Sequence, residues 1–294
     1  MPILTPQQRE AYDRDGYLLV EEAVTPEQLA ALRQDFAAWV EESRSKTAAY
    51  GEIMDGRPRF DLERDHAPDH PALRRVNAPH DVSAIYKQVM ASSRMTQVVA
   101  ELIGPNLKFH HSKINSKLPG TATAVKWHQD FPFTPHSNDD LCTALLFVDE
   151  VTDENGPLEV LPGSHRGPIL GLWHDGKFTG AIDETVAADS QAKSIRCIGP
   201  AGSVCLMHTR LLHGSAPNSS QRPRTLYICV YSAEDALPLS PNPVPTPDSG
   251  MIVAGEATGT VRSIPFSLRL PQLPKTASFF NQQVGVDRPA SYDG

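Results

Sequence analysis

From Lys108 onward the chain breaks into short runs of apolar, β-branched and aromatic residues, each closed off by Gly, Pro, Asn or Asp. Cys142–Val148, Leu158–Leu161, Ser203–Met207 and Thr225–Tyr231 are the clearest of these runs. They are too short for helices of useful length but suit strands, and the punctuation between them suits the turns of a β-sandwich or barrel. The 26 prolines fit this reading, because proline collects in turns and at sheet edges. Pro238–Pro247 holds prolines at 238, 241, 243, 245 and 247 and cannot be a central strand. It reads either as a crossing loop or as a stiff lid beside a site.

The first 107 residues have a different grain. Residues 1 to about 50 read as helix, strand, helix. Thr25-Pro26-Glu27-Gln28 combines a capping hydroxyl, a proline in the first turn and a glutamine three residues after the cap. Leu29, Leu32, Phe36, Trp39 and Val40 then recur at helical spacing, which gives one apolar face to pack on a sheet. A second helical region, Val82 to Ile103, ends at Gly104-Pro105. The polar stretch between them, Gly51 to His80, reads as a long loop over one mouth of the core. The expected organisation is a single domain over 1–294. Its mainly helical part (1–107) packs on a sheet core (108–236), and loops and strands follow (237–294).

A formal charge of −8 and the absence of a dense Lys/Arg run argue against nucleic acid and anionic membrane as partners. The N-terminus lacks a secretion signal and no apolar stretch is long enough to span a bilayer, so a cytoplasmic location is expected. Cys142, Cys197, Cys205 and Cys229 have no Cys-x-x-Cys spacing, and three lie in apolar runs. They read as small buried hydrophobes in a reducing compartment. Nothing indicates an oligomeric state.

Chemistry concentrates at Val125-Lys126-Trp127-His128-Gln129-Asp130-Phe131, the one place where a His and an acidic residue stand two apart. In an extended strand alternate side chains leave the same face, so His128 and Asp130 could reach one metal ion together. With 11 histidines and 35 acidic residues, about one such triplet is expected by chance, so the ordered company matters more. Asn155 to His165, Gly202 to His208, Leu212-His213-Gly214-Ser215 and Arg222-Pro223-Arg224 follow in turn. Two imidazoles and a carboxylate on one face of a metal leave three positions open, the arrangement of iron(II) oxygenases. Two could take a bidentate 2-oxoacid and the third O₂. A guanidinium suits the oxoacid's far carboxylate, and Arg224 is placed to supply it if Gly214–Pro223 doubles back and sets the next strand beside the one carrying His213.

From about Leu102 to Ala236 the chain resembles the phytanoyl-CoA dioxygenase family of iron(II)/2-oxoglutarate oxygenases. The resemblance rests on Trp-His-Gln-Asp at 127–130, Asn-Gly-Pro-Leu-Glu-Val-Leu-Pro-Gly-Ser-His at 155–165, and His-Gly-Ser at 213–215 with Arg224 eleven positions after His213. It implies a mainly β fold with flanking helices, a double-stranded β-helix or cupin-like jelly roll with the metal inside its open end. It also implies Fe(II), 2-oxoglutarate and O₂ acting on a small-molecule substrate. By position Ser215 would join Arg224 on the distal carboxylate of the oxoacid, and Arg75 would match a family lysine that touches it. Thr143-Ala144-Leu145 stands where some members carry an aromatic residue, so packing around the oxoacid should differ at Thr143. Asp130 is intact, whereas related halogenases carry a small residue there.

Other readings of the same residues stay open. His208 is a local rival to His213, and Arg222 is the ordinary surface arginine beside Arg224. His165 reads as structural. His110, His111 and His136 have no defensible partner spacing. Trp127, Phe131 and Phe133 either line a substrate pocket or pack the core. Lys113, Lys117 and Lys126 either attract an anionic substrate or are simply exposed, which is the default for lysine. Hydroxylation, desaturation and ring closure all start from the same chemistry. A non-catalytic metal-stabilised binding protein and a zinc hydrolase use the same three ligands, but no general base for the latter is apparent. Substrate choice should lie in the loops Gly51–His80, Phe131–Asp140, Gly167–Ser194 and Pro238–Arg262.

Overall fold

A computed structural model describes residues 2–119 and 123–272. Helix α1 (Pro6–Asp15), strand β1 (Tyr17–Val20) and helix α2 (Pro26–Ser43) open the chain, followed by β2 (Tyr50–Met54), β3 (Arg57–Leu62) and β4 (Leu73–Asn77). Helices α3 (Ala84–Ser92) and α4 (Arg94–Ile103) lead into β5 (Leu107–Lys117), β6 (Val125–His128), β7 (Leu141–Phe147) and β8 (Leu158–Val160). Short strands β9 (Trp173–His174) and β10 (Lys177–Phe178), helix α5 (Glu184–Ala192) and β11 (Ile195–Cys197) come next. Strands β12 (Val204–His208), β13 (His213–Ser215), β14 (Arg224–Ala233) and β15 (Ile252–Ala254) complete the order.

Two antiparallel sheets result. The larger runs β1-β12-β7-β14-β5-β4-β3-β2 with β15 also on β5, and the smaller runs β11-β8-β13-β6. The period-two alternation of the central strands explains why the large sheet is buried on both faces. On β7, Cys142, Ala144 and Leu146 point to one side, and on β14 Tyr227, Cys229 and Tyr231 do the same. There they meet Leu32 and Phe36 of α2, Tyr86 and Val89 of α3, and Val98 and Val99 of α4. The alternate residues, Leu145 and Phe147 on β7 and Leu226 and Ile228 on β14, face the small sheet and pack with Leu158, Val160 and Cys197. This is the expected jelly roll with helices on one outer face.

Both capping boxes form at the first two helices. Thr25 N donates to Gln28 Oε1 at 3.0 Å while Gln28 N donates to Thr25 Oγ at 3.2 Å, and Thr5 and Gln8 repeat the pattern. The second helical region is two helices, because Ser93 turns extended (φ −96°, ψ 172°) and caps α4 by accepting from Thr96 N.

The larger correction concerns Gly51 to His80. It is not a loop over the core but three strands, β2, β3 and β4, which extend the large sheet from β5. Its polarity misleads because much of it faces inward. Arg59, Arg74, Arg75 and Asn77 are buried, and Arg74 is held by Asp61 at 2.9 Å and Glu63 at 3.2 Å. All four cysteines are buried with free thiols, and among the described residues no helix is long and apolar enough to cross a membrane.

Candidate active site

His213 and His128 are direct cross-strand partners on β13 and β6, so the pairing of two short strands sets their imidazoles side by side, with ring centroids 4.1 Å apart. Each ring is turned by a hydrogen bond at its far nitrogen: His128 Nδ1 to Lys126 O at 2.7 Å, and His213 Nδ1 to Leu211 O at 2.9 Å. A carbonyl only accepts, so both rings carry hydrogen on Nδ1 and turn Nε2 toward the cavity. Asp130 does not share the strand with His128 as the spacing suggests. Strand β6 ends at His128, and Asp130 sits at φ −73°, ψ −33° where a 3-10 turn begins. The turn still aims its carboxylate inward, with Oδ1 3.4 Å from His128 Nε2 and 3.6 Å from His213 Nε2.

These three residues could hold a metal, their ligand atoms lying within 4.8 Å of one another. Two atoms each about 2.1 Å from a shared ion lie no more than about 4.2 Å apart, so both Asp–His separations suit one ion without backbone movement. The electrostatics agree. Burial alone would raise the Asp130 carboxyl, but the facing His213 and His128 and the nearby Lys113 outweigh it and hold it far below the usual carboxylate range. Burial, then His128, push His213 down to about 4. An anionic carboxylate at Asp130 and a neutral imidazole at His213 are the protonation states a metal needs.

The rival His208 is not in this cluster. Its Nδ1 accepts from Arg210 N at 3.1 Å, and its ring lies by His165. His165 in turn contacts Asp13 O at 3.2 Å. Arg222 is exposed and pairs with Glu150 at 2.7 Å.

One chamber runs from the three candidate ligands to Arg224, between the sheets, lined also by Ser215, Thr143, Lys117, Lys113 and Arg75. Arg224 does not arrive as the sequence suggests. Its strand β14 pairs with β5 and β7 in the large sheet rather than with β13, because Gly214–Pro223 crosses from one sheet to the other. The guanidinium therefore faces His213 across the cavity. It is buried, donates from Nε and Nη2 to Gly156 O at 3.0 and 2.7 Å, and is pushed down to about 10 by burial.

Lys117 is the site residue that sequence reasoning undervalued. It is buried, its ammonium donates to Ser215 Oγ at 2.7 Å and to Ala216 O, and burial followed by Arg224 bring it down to about 5. The one available signal was alternation: on β5, His111, Lys113 and Lys117 line the chambers while Ile114 is in the helix-side core. A polar face on a strand otherwise in the core marks a cavity.

A second chamber opens on the other side of His128 and Asp130. It is walled by Arg57, Arg75, Lys113, Phe133, Val230 and Val244, with Pro243 above. Phe133 meets the His128 ring edge-on at 5.6 Å. For two of the three aromatics the core-packing reading holds. Phe131 is fully buried against Leu141, Ala236 and Phe266, and Trp127 packs with Leu172, Phe178 and Ile182. Neither lines a chamber: Trp127 alternates with His128 on β6 and so leaves the opposite face, and the turn after β6 sends the Phe131 ring away from the metal side. Of the four expected specificity loops, three wall the second chamber and Gly167–Ser194 does not. Thr143 lines the first chamber, but its hydroxyl is spent on Asp130 Oδ2 at 2.7 Å.

Known proteins that share this architecture and ancestry are non-haem iron oxygenases that consume 2-oxoglutarate, and this chain is a dioxygenase of that class, using Fe(II), 2-oxoglutarate and O₂. Within the class it belongs to the phytanoyl-CoA dioxygenase (PhyH) family, whose model matches residues 12–226. It is 31% identical over 271 residues to a probable alpha-ketoglutarate-dependent hypophosphite dioxygenase of Stutzerimonas stutzeri, covering 90% of this chain and 91% of the relative. It is 27% identical to the L-proline trans-4-hydroxylase of Streptomyces griseoviridis, covering 78% and 87%. The solved structure of EctD from S. alaskensis with 2-oxoglutarate and 5-hydroxyectoine superposes with a TM-score of 0.65 at 23% identity, covering 93% of this chain and 89% of that one.

Proposed function

We propose that the chain hydroxylates a small molecule, with His128, Asp130 and His213 holding the iron and Arg224, Ser215 and Lys117 receiving the far carboxylate of 2-oxoglutarate. The observation that carries this is the pair of Nδ1–carbonyl bonds that turn both Nε2 atoms toward Asp130 Oδ1. Once bound, iron(II) and 2-oxoglutarate supply the oxidation, with O₂ consumed, CO₂ and succinate released and one oxygen atom delivered to the substrate. The protein's own work is to bind, orient and keep water out. Arg224 and Lys117 fix the oxoacid's distal end at the bottom of a buried chamber, and Arg75 stands nearer the metal ligands. Phe133 and Val230 provide apolar wall beside His128.

Residues 1–294 act as one catalytic unit in this reading, since α2 to α4 pack on the sheet that carries Arg224. The buried thiols, with Cys197 and Cys205 3.7 Å apart, suit a reducing compartment such as the cytoplasm. The relatives are named for hypophosphite and L-proline, and hypophosphite is the first substrate to test given the 31% identity. The decisive experiment is anaerobic addition of Fe(II) and 2-oxoglutarate to metal-free protein. A weak visible metal-to-oxoacid absorption band supports the assignment, and its absence, with no succinate formed on any substrate, overturns it.

A further inference from the structure

The two chambers together are more cationic than the cosubstrate requires. They are lined by the cations Arg57, Arg75, Lys113 and Arg224 and by the mainly uncharged Lys117, but by a single carboxylate, Asp130. The two negative charges of 2-oxoglutarate cancel the two positive charges of Fe(II), so the excess of cations remains after both are bound. Uncompensated charge in a buried cavity is unfavourable, and an anionic ligand removes the penalty.

Of these cations, Arg75 and Lys113 stand on the wall that both chambers share. Arg57 lines only the second chamber. Its Nη2 donates to Pro243 O at 2.5 Å, and its carboxylate neighbour Asp55 is 3.9 Å away. Lys113, on the wall shared by both chambers, forms no ion pair or side-chain hydrogen bond among the described residues, so its three donors are uncommitted. Arg75 is oriented by Asn115 Oδ1 at 3.0 Å. Opposite these cations the walls are Phe133, Val230 and Val244, a surface for the carbon part of a small ligand.

We propose that Arg57 and Lys113, with Arg75 beside them, form an oxyanion subsite that grips a carboxylate or phosphonate of the substrate and so presents its adjacent bond at the metal. This rests on the iron and 2-oxoglutarate assignment above. The reaction balances without another reactant: the substrate's hydrogen-bearing bond gains one oxygen atom of O₂, and the other enters succinate as 2-oxoglutarate loses CO₂.

The test uses the full chain, anaerobic, with Fe(II) and saturating 2-oxoglutarate, titrated with methylphosphonate, acetate and the neutral isostere acetamide. Calorimetry and the visible band are read together. Both or one of the anions should bind at least tenfold more tightly than acetamide, and the tighter of the two identifies the headgroup. Arg57→Gln should weaken the anion tenfold or more while leaving 2-oxoglutarate affinity unchanged. Arg57→Lys should recover part of the loss, and Lys113→Met covers the case in which the Arg57→Gln protein fails to fold. Abolition of anion binding by saturating 2-oxoglutarate, equal binding of acetamide, or insensitivity to both the Arg57 and Lys113 changes would each overturn the proposal. Loss of the band alone, with Arg57-dependent anion binding intact by calorimetry, would strike the iron assignment and uphold the subsite.

Discussion

Thr143 donates its hydroxyl hydrogen to Asp130 Oδ2 at 2.7 Å, and that bond decides which carboxylate oxygen turns toward the two histidines. Thr143 sits on the large sheet and Asp130 in the turn after β6, so the hydroxyl ties the turn across the cavity. Partners of this kind typically change metal affinity by about 10–100-fold when removed. Thr143→Val should weaken Fe(II) binding by about that factor in an anaerobic titration, and Thr143→Ser should restore it. Wild-type affinity in the valine variant would show that the turn holds Asp130 without help.

His213 and His208 stand five residues apart, but only His213 is in the three-residue cluster with Asp130. His213→Ala should remove the thermal stabilisation that Fe(II) gives, which for metal at 100 times its dissociation constant is about 2.7 kcal/mol. His208→Ala should keep it, since that ring contacts Arg210 N and His165 rather than Asp130. Calorimetric melting of both variants with and without Fe(II) distinguishes them, and the opposite pattern would reassign the third ligand.

The site was more legible in the sequence than its surroundings, for a physical reason. His128, Asp130, His213 and Arg224 are chemically conspicuous and keep fixed order along the chain, so they were found even though the local geometry differed. Asp130 proved to be in a turn, and Arg224 to come from the facing sheet. Lys117 stood only among three lysines that either attract an anion or are exposed, and Arg57 carried no signal, because a lone lysine or arginine reads as solvent-facing until the fold supplies walls around it. Strands β2 to β4 were hidden by the same effect. Their charged residues satisfy one another inside the protein, as Arg74 does with Asp61 and Glu63, and so imitate a polar loop. Trp127 and Phe131 were left between pocket and core because adjacency to a metal ligand along the chain does not make a ring a pocket wall: Trp127 alternates with His128 on β6, and Phe131 falls in the turn after it.

Gly156 links the turn after β7 to the cosubstrate end. It adopts φ +77°, and its carbonyl accepts both Arg224 bonds. A Cβ there would lie 2.7 Å from Ala216 O and 3.0 Å from the Lys117 side chain. Gly156→Ala should therefore cost about 1–3 kcal/mol of stability through backbone strain. It should also raise KM for 2-oxoglutarate more than it lowers kcat, because Arg224 and Lys117 shift while the metal ligands do not. Denaturant melts with steady-state kinetics check both, and an unchanged KM would separate this turn from cosubstrate binding.

Lys117 makes cosubstrate affinity depend on pH with a defined sign. Before the cosubstrate binds, burial, and then Arg224, bring its ammonium down to about 5, so at neutral pH it is mainly the uncharged amine. An arriving carboxylate favours the charged form and raises that value on binding. Binding between about pH 5 and the raised value therefore takes up a proton. Affinity is greatest at the acid end of the window and falls as pH rises, by at most about tenfold per unit, because the bound state holds more protons than the free state. Calorimetry of 2-oxoglutarate binding in two buffers of different ionisation enthalpy measures the uptake directly. Lys117→Met should abolish both the uptake and the slope while leaving the metal affinity unchanged, because Lys117 contacts Ser215 and Ala216 and none of His128, Asp130 or His213. A slope that survives the substitution would place the titrating group elsewhere and leave Lys117 with a purely packing role beside Gly156.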